Sequence, residues 1–130
     1  MKILVGYDGS TSAKEALKLA RKHARAFNGS VDIVTSMERG TEQQQQAIEE
    51  AENGLEWAKS VFADKGLECR THLLIRGLAP GEDLLEFARE NNVDEIIVGV
   101  KRRSKVGKLL MGSTAQYVIL QASCPVVTVK

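Results

Sequence analysis

Short apolar runs alternate along the chain with longer segments in which apolar residues recur every three or four positions. The short runs predict five strands, at residues 2–7, 31–36, 68–75, 94–100 and 126–129. The longer segments predict four helices, one from about Ala13 to Phe27 and three at 43–65, 80–91 and 113–122. Strands that alternate with helices in this way predict an α/β fold with a parallel sheet and right-handed crossovers.

Local signals refine these elements. Ser12 and Glu15 match the spacing of a capping box, which predicts the start of the first helix there. Gly66 follows the second helical segment and predicts its end. Apolar and polar residues alternate along most of 68–75, which is typical of an edge strand, whereas the continuous run in 94–100 indicates a central one.

Composition is that of an ordinary globular protein, with 43% hydrophobic and 27% charged residues. A length of 130 residues predicts one domain over 1–130. The formal charge of +1 hides an asymmetry: residues 1–95 hold 12 basic and 17 acidic side chains, and residues 96–130 hold six basic and no acidic ones. Five of those six lie between positions 101 and 108. The overall balance excludes a strongly basic nucleic-acid module and leaves one basic loop to explain.

Targeting signals are not apparent in the sequence. The apolar N-terminus is too short for a signal peptide, and polar residues, glycine and proline interrupt 109–129, so we expect no membrane span. Cys69 and Cys124 do not make a disulfide scaffold, and we expect two reduced, buried thiols. The sequence therefore predicts a cytoplasmic protein.

Two strand exits carry the residues that a ligand site would need. Open parallel sheets bind ligands outside the carboxyl ends of their strands. The first strand runs into Tyr7-Asp8-Gly9-Ser10, and the fourth into 99–114, which holds three glycines and five basic residues. This second connection ends at Gly112-Ser113-Thr114, where free amides at a helix N-terminus favour an anion. We expect a phosphate group to bind there.

Common phosphate and catalytic motifs do not match. A Walker A loop around Gly107-Lys108 fails because Arg102 replaces its first glycine and Leu109 its hydroxyl residue. Neither G-x-G-x-x-G nor G-x-S-x-G occurs. The basic cluster is open to three interpretations: a solvated loop, attraction of a polyphosphate, or nucleic-acid binding. Nucleic acid is the weakest, because no aromatic residue lies between Gly99 and Gln116.

Taken together, the motifs resemble those of the universal stress protein family, over essentially the whole chain. The resemblance rests on the strand that ends in Tyr7-Asp8-Gly9-Ser10, on Arg76-Gly77-Leu78-Ala79-Pro80, and on the C-terminal Ser123-Cys124-Pro125-Val126-Val127. The family's nucleotide loop, G-x2-G-x9-G-[ST], matches at Gly99 and at Gly112-Ser113. Arg102 occupies its middle glycine position and is the one departure.

This resemblance implies a doubly wound, adenine nucleotide alpha hydrolase-like sheet of order 3-2-1-4-5 with helices on both faces. It also implies a homodimer that acts in the stress response and is joined through Val126–Val129. In one branch of the family it implies bound ATP or AMP, with or without Mg²⁺. By resemblance, Asp8 would contact the ribose and the metal, and Thr35 and Ser36 would face the adenine through the backbone. The candidate cofactor-binding residues are Tyr7, Asp8, Thr35, Ser36, Gly99, Lys101, Arg102, Gly112, Ser113 and Thr114.

The Arg102 departure leaves more than one function open. A left-handed backbone at that position would cost a non-glycine residue about 1–2 kcal/mol, whereas a guanidinium that binds a phosphate would offset the loss. The leading hypothesis is a regulatory dimer that binds ATP or AMP. The alternatives are a dimeric interaction protein of the same fold without a nucleotide, and a slow ATP hydrolase with Asp8 as its only candidate base.

Overall fold

The computed structural model describes residues 1–38, 44–63, 66–100 and 111–130. Nine elements alternate along the described chain: β1 (Lys2–Gly6), α1 (Thr11–Phe27), β2 (Ser30–Ser36), α2 (Gln45–Ser60), β3 (Glu68–Leu74), α3 (Pro80–Glu90), β4 (Glu95–Gly99), α4 (Ser113–Gln121) and β5 (Val126–Val129). None of the described helices has both the length and the apolarity needed to cross a bilayer.

All five strands pair in parallel in the order β3-β2-β1-β4-β5. The predicted fold class and strand order are therefore confirmed. The strand order reverses at β1: β2 and β3 lie on one side of it, and β4 and β5 lie on the other. The carboxyl ends of these three strands thus form the crevice in which such sheets bind ligands.

Each face of the sheet is covered by two helices with their own apolar layer. Small residues on α1, among them Ala16, Ala20 and Ala24, let that helix pack closely on Ile3 and Val5 of β1, and α2 completes this layer. On the other face, α3 and α4 pack on β4 and on parts of β1 and β2. The β3 strand is an edge strand with no fully buried residue, as its alternating pattern predicts.

Two local predictions were wrong. Ser10, not Ser12, is the N-cap of α1: its hydroxyl accepts the Ala13 amide at 3.2 Å, and the helix begins at Thr11. The helix α2 ends at Ser60 rather than at position 65, because the chain turns at Val61 and Phe62.

Candidate functional site

A cavity of about 160 Å³ lies in the crevice formed by the ends of β1, β2 and β4. Eight of the ten predicted binding residues line it: Tyr7, Asp8, Thr35, Ser36, Gly99, Gly112, Ser113 and Thr114. The other two, Lys101 and Arg102, lie outside the described residues. Residues that are far apart in the sequence are thus brought together at the predicted edge of the sheet.

An apolar wall completes the cavity. It consists of side chains from four elements, namely Ala13, Val34, Pro80, Leu84 and Val98. The sequence does not mark these residues as site residues, because they carry the ordinary signal of a buried core. Only Pro80 had a signal of its own, as part of the Arg76–Pro80 segment that supports the family resemblance. An apolar wall with a few polar groups is typical of small-molecule sites.

The residues that follow β1 provide hydrogen-bond acceptors for the start of α1. The Asp8 carboxylate accepts the Ser10 amide at 3.0 Å, and Ser10 in turn caps α1. Gly9 has a φ of 81°, which allows the sharp turn between the strand and the helix. Asp8 remains exposed at the mouth of the cavity.

The start of α4 differs from that of α1, since no side chain in the described part of the chain caps it. Its N-cap is Gly112, and the next residues, Ser113 and Thr114, line the cavity. The first amides of a helix have no partner within the helix and carry a partial positive charge. The cavity is therefore lined here by a helix start whose amides favour negative charge and by two residues that carry hydroxyls.

The two hydroxyls at the end of β2 both donate to groups within the protein. Thr35 Oγ1 donates to the carbonyl oxygen of Tyr7 at 2.7 Å, and Ser36 Oγ donates to Asp83 Oδ2 at 2.6 Å. Both hydroxyls are thus engaged within the protein. Neither hydroxyl proton is therefore available to a ligand, and a donor at this strand end would have to come from the backbone.

Tyr7 forms part of the cavity wall and is 6% exposed. Burial raises the pKa of its phenol above the ordinary value, and the neighbouring Asp8 carboxylate raises it further. The phenol therefore stays protonated at neutral pH and can act as a hydrogen-bond donor.

The donor set also bears on a divalent cation. Within the described part of the chain, no three His, Cys, Asp or Glu side chains are grouped as ligands for a metal ion. Asp8 is the carboxylate at the cavity, and Mg²⁺ on a nucleotide commonly uses only one or two protein carboxylates together with phosphates and water. The residues present thus fit a Mg²⁺ that arrives with a phosphate ligand.

Comparison with known proteins extends this description. The model of the universal stress protein family matches residues 1–130. A universal stress protein of Thermus aquaticus is 34% identical over 134 residues, which cover 98% of this chain and 97% of the relative.

Two solved structures from Archaeoglobus fulgidus are also similar. A universal stress protein matches with 38% identity and a TM-score of 0.92, covering 100% of this chain and 98% of the other. A universal stress protein in complex with dAMP matches with 34% identity and a TM-score of 0.84, with the same coverage. The chain therefore belongs to the universal stress protein family.

Proposed function

We propose that this protein binds an adenine nucleotide, ATP or AMP, in the cavity at the ends of β1, β2 and β4, and acts as a regulatory homodimer in the stress response. The observation that carries the proposal is the start of α4, which lines that cavity and which no side chain of the described residues caps. The related protein in complex with dAMP supports the choice of an adenine nucleotide.

Phosphate groups would be held at the start of α4. The amides and hydroxyls of Ser113 and Thr114 provide donors, and the Gly112 backbone allows close approach. Lys101 and Arg102, which follow β4 in the sequence, would add positive charge. Mg²⁺, where it accompanies the nucleotide, would neutralise part of the phosphate charge, and Asp8 would provide its protein ligand.

The base would lie against the apolar wall, near the end of β2. Val34 and Leu84 offer apolar contact, and the main chain at Ser36 offers hydrogen-bonding groups. Because the Thr35 and Ser36 hydroxyl protons are already donated within the protein, a hydrogen-bond donor to the base at this strand end would come from the backbone.

The homodimer is the second part of the proposal. The strand β5 lies at the end of the sheet and pairs only with β4 within the described chain. An edge strand that has half-buried valines and, among the described strands, a partner on one side only favours pairing with another strand. We place this dimer in the cytoplasm, as the sequence predicts.

Isothermal titration calorimetry on the purified protein tests nucleotide binding, with ATP, AMP and GMP each titrated with and without Mg²⁺. Acid extraction of the same preparation identifies any nucleotide that is already bound. We expect saturable binding of an adenine nucleotide, and a Ser113→Ala, Thr114→Ala double variant should weaken it because two donors are lost.

A result without heat at millimolar ligand, together with no extracted nucleotide, would contradict the proposal. That result would favour an interaction protein of the same fold with an empty cavity. Release of ADP from ATP that requires Mg²⁺ and is lost in Asp8→Ala would instead indicate slow hydrolysis.

A further inference from the structure

A buried carboxylate links the end of β2 to α3 beside the cavity. Asp83, in the first turn of α3, is 0% exposed. Its Oδ2 accepts Ser36 Oγ at 2.6 Å, and its Oδ1 accepts Arg76 Nε at 2.6 Å. Arg76 also donates to Glu90 at 2.9 Å and to the Asp83 carbonyl oxygen at 3.3 Å. Every one of these bonds joins two different elements or a loop and a helix.

A fully buried charge is costly unless it is paired and hydrogen-bonded. Here the guanidinium of Arg76 and the first turn of α3 both stabilise the Asp83 carboxylate. Removing one partner of such a group is destabilising, so the carboxylate holds its partners in place. The partner that reaches the cavity is Ser36.

The direction of the main chain at Ser36 follows from its neighbours. The Val34 carbonyl oxygen accepts the Tyr7 amide on the β1 side, and the Met37 amide donates to the Leu74 carbonyl oxygen on the β3 side. Backbone groups of successive strand residues point alternately to the two sides. The N–H and C=O of Ser36 are therefore directed to the β1 side, where the cavity lies.

We propose that Asp83 and Arg76 are positioning residues that make the site selective for adenine over guanine. They hold the Ser36 hydroxyl and thereby fix the Ser36 main chain, which would read the edge of the base. Adenine presents an amino donor where guanine presents a carbonyl acceptor, so a fixed backbone pattern that matches one base opposes the other. This inference rests on the proposed nucleotide function and assigns a role to the Arg76–Pro80 segment.

Two measurements on Ser36→Ala, Asp83→Asn and Arg76→Lys test the proposal. Calorimetry gives the affinity for AMP divided by the affinity for GMP. We expect this ratio to fall about tenfold in each variant, because each loses either the hydrogen bond to Ser36 or the two-pronged contact of Arg76 with Asp83. Amide hydrogen exchange of the nucleotide-free protein should become about tenfold faster at Met37, whose amide donates to the Leu74 carbonyl oxygen next to Ser36.

Matched controls separate positioning from stability. Ser36→Thr keeps the hydroxyl and should keep the wild-type ratio. Glu86→Gln breaks an exposed ion pair with Arg89 on the same helix and should leave the ratio unchanged. If Asp83→Asn does not fold, the Ser36→Ala and Ser36→Thr pair decides the question.

The failures can be told apart. If the wild type binds neither nucleotide, the proposed function fails, and this inference fails with it. If the wild type prefers AMP and the folded variants keep that preference, the nucleotide function stands and the positioning role is overturned. Faster exchange at Met37 with an unchanged ratio also overturns the positioning role, because the network would then be structural only.

Discussion

Gly99 at the end of β4 lies directly against Ser12 in the first turn of α1. A Cβ atom built on Gly99 would stand 2.5 Å from Ser12 Oγ, 2.6 Å from the Ser12 carbonyl carbon and 2.7 Å from the Ala13 amide nitrogen. Two of these three atoms belong to the backbone, so a side-chain rotation cannot make room. The first glycine of the predicted nucleotide loop is thus required for packing α1 against β4.

The substitution Gly99→Ala should lower the free energy of unfolding by about 2–3 kcal/mol, because the start of α1 must move away from β4. Urea denaturation of the nucleotide-free protein measures this loss. Adding Ser12→Gly to the same protein should not restore stability, since the contacts with Ser12 C and Ala13 N remain.

Gly54→Ala is a matched control from the interior of α2. A Cβ at this position would lie 3.6 Å from Tyr7 Cε2, which is an ordinary contact distance. Alanine favours a helix interior over glycine, so Gly54→Ala should raise the free energy of unfolding by about 0.5–1 kcal/mol. If Gly99→Ala is as stable as wild type, the close packing of Gly99 is not a constraint on the fold.

Asp8→Asn tests the carboxylate at the cavity. Asparagine keeps the oxygen that accepts the Ser10 amide, so the turn into α1 should persist, while the charge is lost. Mg²⁺ should raise the affinity for ATP in wild type. The factor by which it does so should be about tenfold smaller in this variant. Calorimetric titration with ATP, in Mg²⁺ and in EDTA, measures that increase.

AMP without metal serves as the control ligand for Asp8→Asn. Its affinity should change little, because asparagine keeps an oxygen that can accept a ribose hydroxyl, whereas the negative charge that would bind the metal is lost. An equal loss for ATP with and without Mg²⁺ would contradict a metal-binding role and would point to a direct contact with the nucleotide.

The Cys69 thiol should make the protein less stable in alkali. Burial raises its pKa from 9.0 to about 11; Lys59 opposes the rise and Asp32 adds to it. Above pH 9 the unfolded chain releases a proton that the folded one retains, so the stability from this thiol is complete below pH 9 and is lost towards pH 11. A full shift corresponds to about 2.7 kcal/mol, and because the thiol is only partly buried we expect about 1 kcal/mol.

Urea denaturation under reducing conditions at pH 7.5 and pH 10.5 measures this effect, with Cys69→Ala as the reference. Other groups also titrate in this range, so the comparison is between the two proteins at each pH. The stability difference between wild type and Cys69→Ala should shrink by about 1 kcal/mol at the higher pH. A difference that stays constant would show that the folded and unfolded thiols titrate alike.

Much of the site's location could be predicted from the sequence because polar and glycine residues at a strand exit depart from the surrounding apolar pattern. Asp8 and the Gly112-Ser113 pair stand out in this way, and both line the cavity. Val34 and Val98 line it too, but they carry no signal beyond that of a buried strand. Whether they reach the cavity depends on where each strand ends relative to its neighbours, and the register of the sheet determines this.

The positions of hydrogen-bonding side chains were harder to predict. Ser10 and Ser12 lie in one turn, and the capping-box spacing favoured Ser12; the turn at Gly9 instead lets the helix begin earlier, with Ser10 as its cap. Asp83 is charged and its sequence position suggests an exposed helix start. Its burial depends on Ser36, 47 residues away, which no local pattern reveals.

Thr128→Pro tests the dimer at β5 without disturbing the monomer's sheet. The Ile96 amide donates to the Pro125 carbonyl oxygen and the Val100 amide to that of Val129, so alternate residues of β5 face β4. The Thr128 N–H therefore points away from β4, to the outer edge of the sheet. Proline removes this N–H and blocks pairing there, while the bonds to β4 remain. Sedimentation velocity at micromolar concentration should show a dimer for wild type and a monomer for Thr128→Pro.

Thr128→Ala keeps the N–H and is the matched control, which should remain a dimer. Charged substitutions at Val127 or Val129 would be less informative, since both side chains pack against the layer under α1 and their loss would also destabilise the monomer. Thermal unfolding of Thr128→Pro checks that the monomer is still folded. A folded Thr128→Pro variant that sediments as a dimer would place the interface elsewhere, and a monomeric wild type would overturn the homodimer itself.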